Sequence, residues 1–160
     1  LIELLVVIAI IGILSSVVLA SLSTARGKAG DAAVKANLSG MRAQAELLAG
    51  QYGCYTKSGT CDAATPTVVA SQAVPATSVA NIFGDPTINA AAVAADSAGG
   101  FVSVNATVGG GAWAVAAQYK SDILKGWCVD SSGKSKEIII TTGTNQASVD
   151  NEIASGACND

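Results

Sequence analysis

The sequence predicts an α+β fold, with a long N-terminal α-helix serving as the spine for a small antiparallel β-sheet. Three observations predict it. An uncharged apolar run extends from Leu4 to Ala25. Val34, Leu38, Met41, Ala45, Leu48 and Tyr52 then recur at spacings of four and three, the period of an amphipathic helix. Beyond residue 100, alternating and β-branched segments follow one another with short connections. The expected organisation is a hydrophobic helix at 1–25, its amphipathic continuation at 26–52, and a head at 53–160. The head divides into a loop region at 53–100, a sheet at 101–142 and a disulfide-tied tail.

The apolar run spans roughly 33 Å as a helix, enough for the roughly 30 Å hydrocarbon core of a bilayer. It is apolar on every face, so lipid or protein must cover every face. Arg26 and Lys28 close it. A cleavable secretory peptide has a basic start and a shorter apolar stretch, and neither is present. A plain signal anchor fits the length but leaves Glu3 unexplained. A carboxylate in a span costs about 2.5–3.5 kcal/mol at mid-bilayer and less near an end, so such residues usually have a partner. The amphipathic half carries Lys35, Arg42, Gln44 and Glu46 off its stripe, and Gly50 and Gly53 end it. The whole helix, from Leu1 to about Gln51, would be roughly 75 Å long.

Asp85 and Pro86 mark the start of a short helix, as N-cap and first turn, and Gly99 and Gly100 its end. The strands are expected in FVSVNATV, GAWAVAAQYK, KGWCVD and KSKEIIITT, with Asp130, Ser131, Ser132 and Gly133 forming the turn between the last two. Their apolar face should cover the helix stripe through Trp113, Val115, Trp127 and Ile139. The Ser, Thr and Ala-rich stretch TCDAATPTVVASQAVPATSV reads as an unmodified surface connection. The tail is expected to form one or two helical turns.

Composition limits the chemistry. Half the residues are apolar and 13% are charged, with a net charge of −3. The nine Lys and Arg are scattered, which argues against nucleic-acid binding. Histidine is absent, so no Ser–His or Cys–His arrangement exists, and the commonest general base and metal ligand is missing. Gly109 to Gly111 lack the Lys-Ser/Thr ending of a phosphate loop and read as a strand-joining turn. Asp122, Asp130 and Asp150 read as solvated loop residues rather than a calcium site. No enzyme activity, cofactor or metal is expected.

Cys54, Cys61, Cys128 and Cys158 form an even set without a C-x-x-C pair, which favours disulfides outside the cytoplasm over zinc or redox chemistry. Three connectivities are possible, and pairing of sequence neighbours gives Cys54–Cys61 and Cys128–Cys158. By loop entropy these would contribute about 2.5 and about 3.7 kcal/mol.

The opening LIELLVVIAIIGIL resembles the start of mature type IV pilins and pseudopilins, which typically begin Phe-Thr-Leu-Ile-Glu-Leu. Leu1, Ile2, Glu3 and Leu4 match in order and the apolar run follows directly. The resemblance covers about 30 residues, and the remainder is alike in layout only. It implies that two residues of the mature subunit precede Leu1, that a prepilin peptidase removes a leader, and that the new terminal amine is methylated. It implies a homopolymer of identical subunits, held in the cytoplasmic membrane before assembly and then exported as an extracellular pilus by an extension ATPase and platform protein. Glu3 would set subunit register by pairing with a neighbour's terminal amine. Leu1, Leu4, Leu5, Ile8, Ile11 and Leu14 would pack the filament core. Many pilins carry a proline near the place held here by Ala20. This chain has Gly12, Ser15 and Ser16 instead, so only partial helix loosening between Gly12 and Ser23 is expected. A pseudopilin of a type II-like secretion system and a monomeric membrane-anchored surface domain remain as alternatives.

Overall fold

The computed structural model describes residues 1–57, 61, 81–140, 149–153 and 156–159. The first element, α1, is one uninterrupted helix over Ile2–Tyr52, 51 residues long. Gly53 ends it in the left-handed conformation (φ 79°), its N–H bonding to the Ala49 carbonyl at 2.7 Å. A residue with a Cβ rarely adopts that φ, which is why a glycine stands here. In the single chain α1 is continuous from Gly12 to Ser23, and the loosening expected there belongs to the assembled state. Ser16 and Thr24 turn their hydroxyls onto the helix's own carbonyls of Ile13 and Ala20, at 2.8 and 3.5 Å, so they leave the backbone ladder whole.

A short 3₁₀ turn at Ile82–Gly84 leads into α2, Pro86–Ala98. Asp85 caps α2 as expected, accepting from the N–H groups of Thr87 and Ile88 at 3.0 and 3.1 Å. The small side of α2 approaches α1 closely. A Cβ on Gly30 would lie 2.6 Å from the Ala98 carbonyl oxygen, so only glycine permits this crossing.

Four strands follow: β1 at Val102–Ala106, β2 at Trp113–Gln118, β3 at Lys125–Asp130 and β4 at Ser135–Ile139. They form one antiparallel meander in the order β1-β2-β3-β4. The register sets Val104 opposite Val115, Val115 opposite Val129, and Trp127 opposite Glu137. Gly109 and Gly110, both at positive φ, make the β1–β2 connection, as the glycine run suggests.

The main core joins both helices to one sheet face. Val34, Leu38, Met41, Ala45 and Leu48 of α1 meet Ile88 and Ala92 of α2 and Val104, Trp113, Val115 and Val129 of the sheet. Trp113 is the largest fully buried side chain, with Tyr55 and Phe83 edge-on at centroid distances of 6.2 and 6.3 Å. Trp127 is partly buried at the margin, and the Lys35 ammonium lies 4.8 Å from its ring centroid. Ile139 is a correction. It shares the helix-facing side of the sheet, but α1 lies against β2 and β3 and does not cover β4, so Ile139 is 66% exposed.

The sheet is buried on its second face as well, which its sequence alternation does not announce. Ala114, Ala116, Cys128 and Ile138 form a smaller core there with Val149, Ile153 and Cys158 from the tail. A 3₁₀ turn at Asn151–Ile153 brings the tail in. Disulfides join Cys54 to Cys61 and Cys128 to Cys158, each with Cα atoms 5.9 Å apart. The Ser, Thr and Ala-rich connection falls, apart from Cys61, outside the described residues, as do Thr141 and Thr142.

Candidate assembly interface

The N-terminal half of α1 takes no part in either core. Every Leu, Ile and Val from Leu1 to Leu22 is exposed. This half is long and apolar enough to cross a membrane, and none of its best 18-residue window is buried within the chain. Soluble monomers rarely expose contiguous apolar surface beyond a few hundred Å². Each fully covered Val, Leu or Ile contributes about 1.5–3 kcal/mol, so water is the least favourable surroundings this segment can have.

Glu3 sits in the first turn of α1 and is exposed. With about 100° between successive residues, Leu1, Leu4, Leu5, Ile8 and Ile11 share one side of the helix, whereas Glu3 and Leu14 lie on the other. All seven are exposed. The Glu3 side is apolar as well, with Ile10, Leu14 and Val17 beside the carboxylate, so aliphatic surface surrounds the helix on every side.

Rigid attachment of the head starts just beyond the apolar run. The Asp31 carboxylate Oδ1 accepts from the backbone N–H groups of Lys120 and Ser121 at 2.8 and 3.1 Å, and its Oδ2 accepts from the Ser121 hydroxyl. Farther along, Arg42 donates to the carbonyl of Asp130 from Nη2 at 3.0 Å and from Nε at 3.3 Å. It also reaches the Lys134 carbonyl and, at 3.0 Å, the Ser135 hydroxyl. The strand β3 thus runs along α1 between two polar clasps.

Asp130 is the second correction. It is fully buried rather than solvated. Its Oδ1 accepts from the N–H of Ser132 (2.9 Å), the hydroxyl of Ser132 (2.7 Å) and the N–H of Lys134 (3.1 Å). Its Oδ2 accepts from the N–H of Cys158 at 3.0 Å. Burial pushes this carboxyl up, but the hydrogen bonds from Ser132, Cys158 and Lys134 together outweigh it and hold it below the usual carboxylate range. Asp122 instead caps Leu124 (3.0 Å), and Asp150 accepts from Ser103. The three aspartates hold separate loops, and among the described residues no group of three or more acidic or cysteine side chains is placed to hold a metal ion.

The exposed apolar helix, the helix-on-sheet head and the disulfides are together consistent with a pilin-like layout and compatible with membrane anchoring. No protein-family model, curated protein or solved structure matches the chain.

Proposed function

We propose that this chain is the structural subunit of a type IV pilus-like filament and performs no catalysis. The observation that carries the reading is the division of α1: one half locked into a folded head, the other wholly uncovered and apolar. In the membrane, Leu4 to Ala25 lie in lipid. Assembly transfers the helix into a bundle of identical helices, with the heads outside. Aliphatic contacts supply non-directional attraction there. In that low-dielectric bundle an unpaired Glu3 is costly, and a neighbour's terminal amine at the same height offsets the cost. The pair sets the axial stagger. The opening Leu-Ile-Glu-Leu supports this assignment by resemblance to the pilin N-terminus.

Electron microscopy of material sheared from expressing cells, with the chain identified by mass spectrometry, tests the reading. Long thin fibres of this chain are expected. A chain that stays cell-bound as a monomer would instead identify a surface anchor, and short fibres seen only on overproduction beside a secretion system would identify a pseudopilin.

A further inference from the structure

A groove of about 670 Å³ lies where the head meets the apolar half of α1. Leu19 and Leu22 line one end, and Arg26, Lys28, Lys120 and Ser121 the other. We propose that this groove holds the phosphate headgroup of an anionic phospholipid from the bilayer around α1. The proposal rests on the membrane stage of the function proposed above.

The position of the groove follows from the clasps. Arg42 holds the Asp130 end of β3, and Asp31 holds the β2–β3 turn, eleven residues nearer the N-terminus of α1. The turn is therefore the end of the head closest to the apolar run. A Cβ on Gly27 would meet the Ser121 Cβ at 3.2 Å, which places the turn one or two residues beyond Ala25. Ile123 and Leu124, at its tip, are about half exposed. With 1.5 Å per residue, Leu19 lies about 13 Å below Lys28, a span that takes a headgroup and the first carbons of its acyl chains.

The chemistry suits an anion. Arg26 and Lys28 come from the helix, whereas Lys120 arrives from a distant hairpin. Three cationic residues from two elements line one groove, which differs from the flanking charges that simply follow a span. Among the described residues none of the three has an ion-pair partner; the pair that is present, Lys125 with Glu137 at 3.3 Å, lies on β3 and β4. The carboxylates of Asp31 on the helix and Asp122 in the turn accept hydrogen bonds from backbone N–H groups, Asp31 from Lys120 and Ser121 and Asp122 from Leu124, and neither forms an ion pair with the three cations. The chain as a whole carries −3, so overall charge repels an anionic surface and any preference must come from a local site.

The test uses the full chain reconstituted into vesicles of phosphatidylcholine and phosphatidylglycerol, with spin-labelled lipids reporting the relative association of the two headgroups. The wild-type chain is expected to prefer phosphatidylglycerol roughly fivefold or more, the scale set by one interfacial cation. Lys120→Gln should weaken that preference, and Arg26→Gln/Lys28→Gln/Lys120→Gln should abolish it. Lys136→Gln, which removes a charge far from the groove, should leave it intact. Equal preference for both lipids in the wild type, an unaltered preference in K120Q, or equal loss in Lys136→Gln would each overturn the assignment. So would displacement of the lipid by inorganic phosphate at constant ionic strength, which would make the ligand a free anion. Vesicle flotation separates the two levels of the account. A chain that floats with vesicles without headgroup preference refutes the groove alone, and one that fails to float refutes the membrane stage as well. Near-ultraviolet circular dichroism confirms that each variant keeps the folded head.

Discussion

Arg42, on the spine helix, hydrogen-bonds the main-chain carbonyl of Asp130 on β3 with both Nη2 and Nε. The fork lets one side chain clamp helix to sheet, since Nη2 also reaches the Lys134 carbonyl and Nη1 the Ser135 hydroxyl. Arg42→Gln leaves these partly buried acceptors without their donors and should cost about 1–3 kcal/mol. Thermal unfolding followed by tryptophan fluorescence should show a lower Tm. Arg42→Lys should recover only part of the loss, because an ammonium cannot span the same acceptors. Full recovery by lysine would show that charge rather than the fork matters.

Asp130 makes head stability dependent on acid. Its carboxyl is held below the ordinary range in the folded chain, so its contribution is complete above about pH 4, the unfolded value. The contribution drains away as pH falls through the lower folded value. Denaturant midpoints should therefore decline below about pH 4 in the wild-type chain. Asp130→Asn should be less stable at neutral pH and should decline less steeply in acid. Parallel pH profiles for the two proteins would refute the assignment.

The two disulfides should differ in both accessibility and effect. Cys61 is exposed, whereas Cys128 and Cys158 lie in the second core. Mild thiol treatment followed by alkylation and mass spectrometry should modify Cys54 and Cys61 first. The Cys128–Cys158 loop is the longer, 30 residues against 7, so C128S/C158S should cost about 1 kcal/mol more than C54S/C61S. A reversed order in either measurement would contradict the placement of the tail.

Glycines at two positions should respond oppositely to alanine. A Cβ on Gly99 would fall 2.3 Å from the Gln118 carbonyl oxygen and 2.7 Å from Val34 Cγ2. Gly99→Ala must push the end of α2 away from β2 and the spine and should destabilise by about 1–3 kcal/mol or more. Gly40 is an exposed helical position with open space around it. Gly40→Ala should stabilise by about 0.5–1 kcal/mol through helix propensity. Chemical denaturation of both variants checks the pair, and a neutral Gly99→Ala would mean that the end of α2 sits less closely against β2 and α1 than described.

Much of this architecture is written in local signals. The Val34-to-Tyr52 stripe, the stop at Gly53, the Asp85-Pro86 start and the turn at Asp130 to Gly133 each need only a few neighbouring residues to be read. Pairing each cysteine with its sequence neighbour gives the two disulfides. What escapes such reading depends on distant partners. Asp31 and Arg42 bond backbone groups about ninety positions away, and backbone acceptors leave no mark in a sequence. Asp130 looks like any polar turn residue until the tail closes over it. Ile139 carries the right residue type on the right face, but the width of the helix decides that it stays uncovered. The groove beside Lys120 is equally silent, because it arises only when a hairpin docks beside Gly27.

The central claim concerns Glu3 and the neighbour whose charge it meets. A cryo-electron microscopy map of the assembled fibre, resolved to side chains, measures it directly. The account predicts α1 helices bundled along the axis, with each Glu3 carboxylate within about 4 Å of an adjacent subunit's terminal amine. A map in which Glu3 points into water, or in which the apolar helices stand apart from one another, would contradict it.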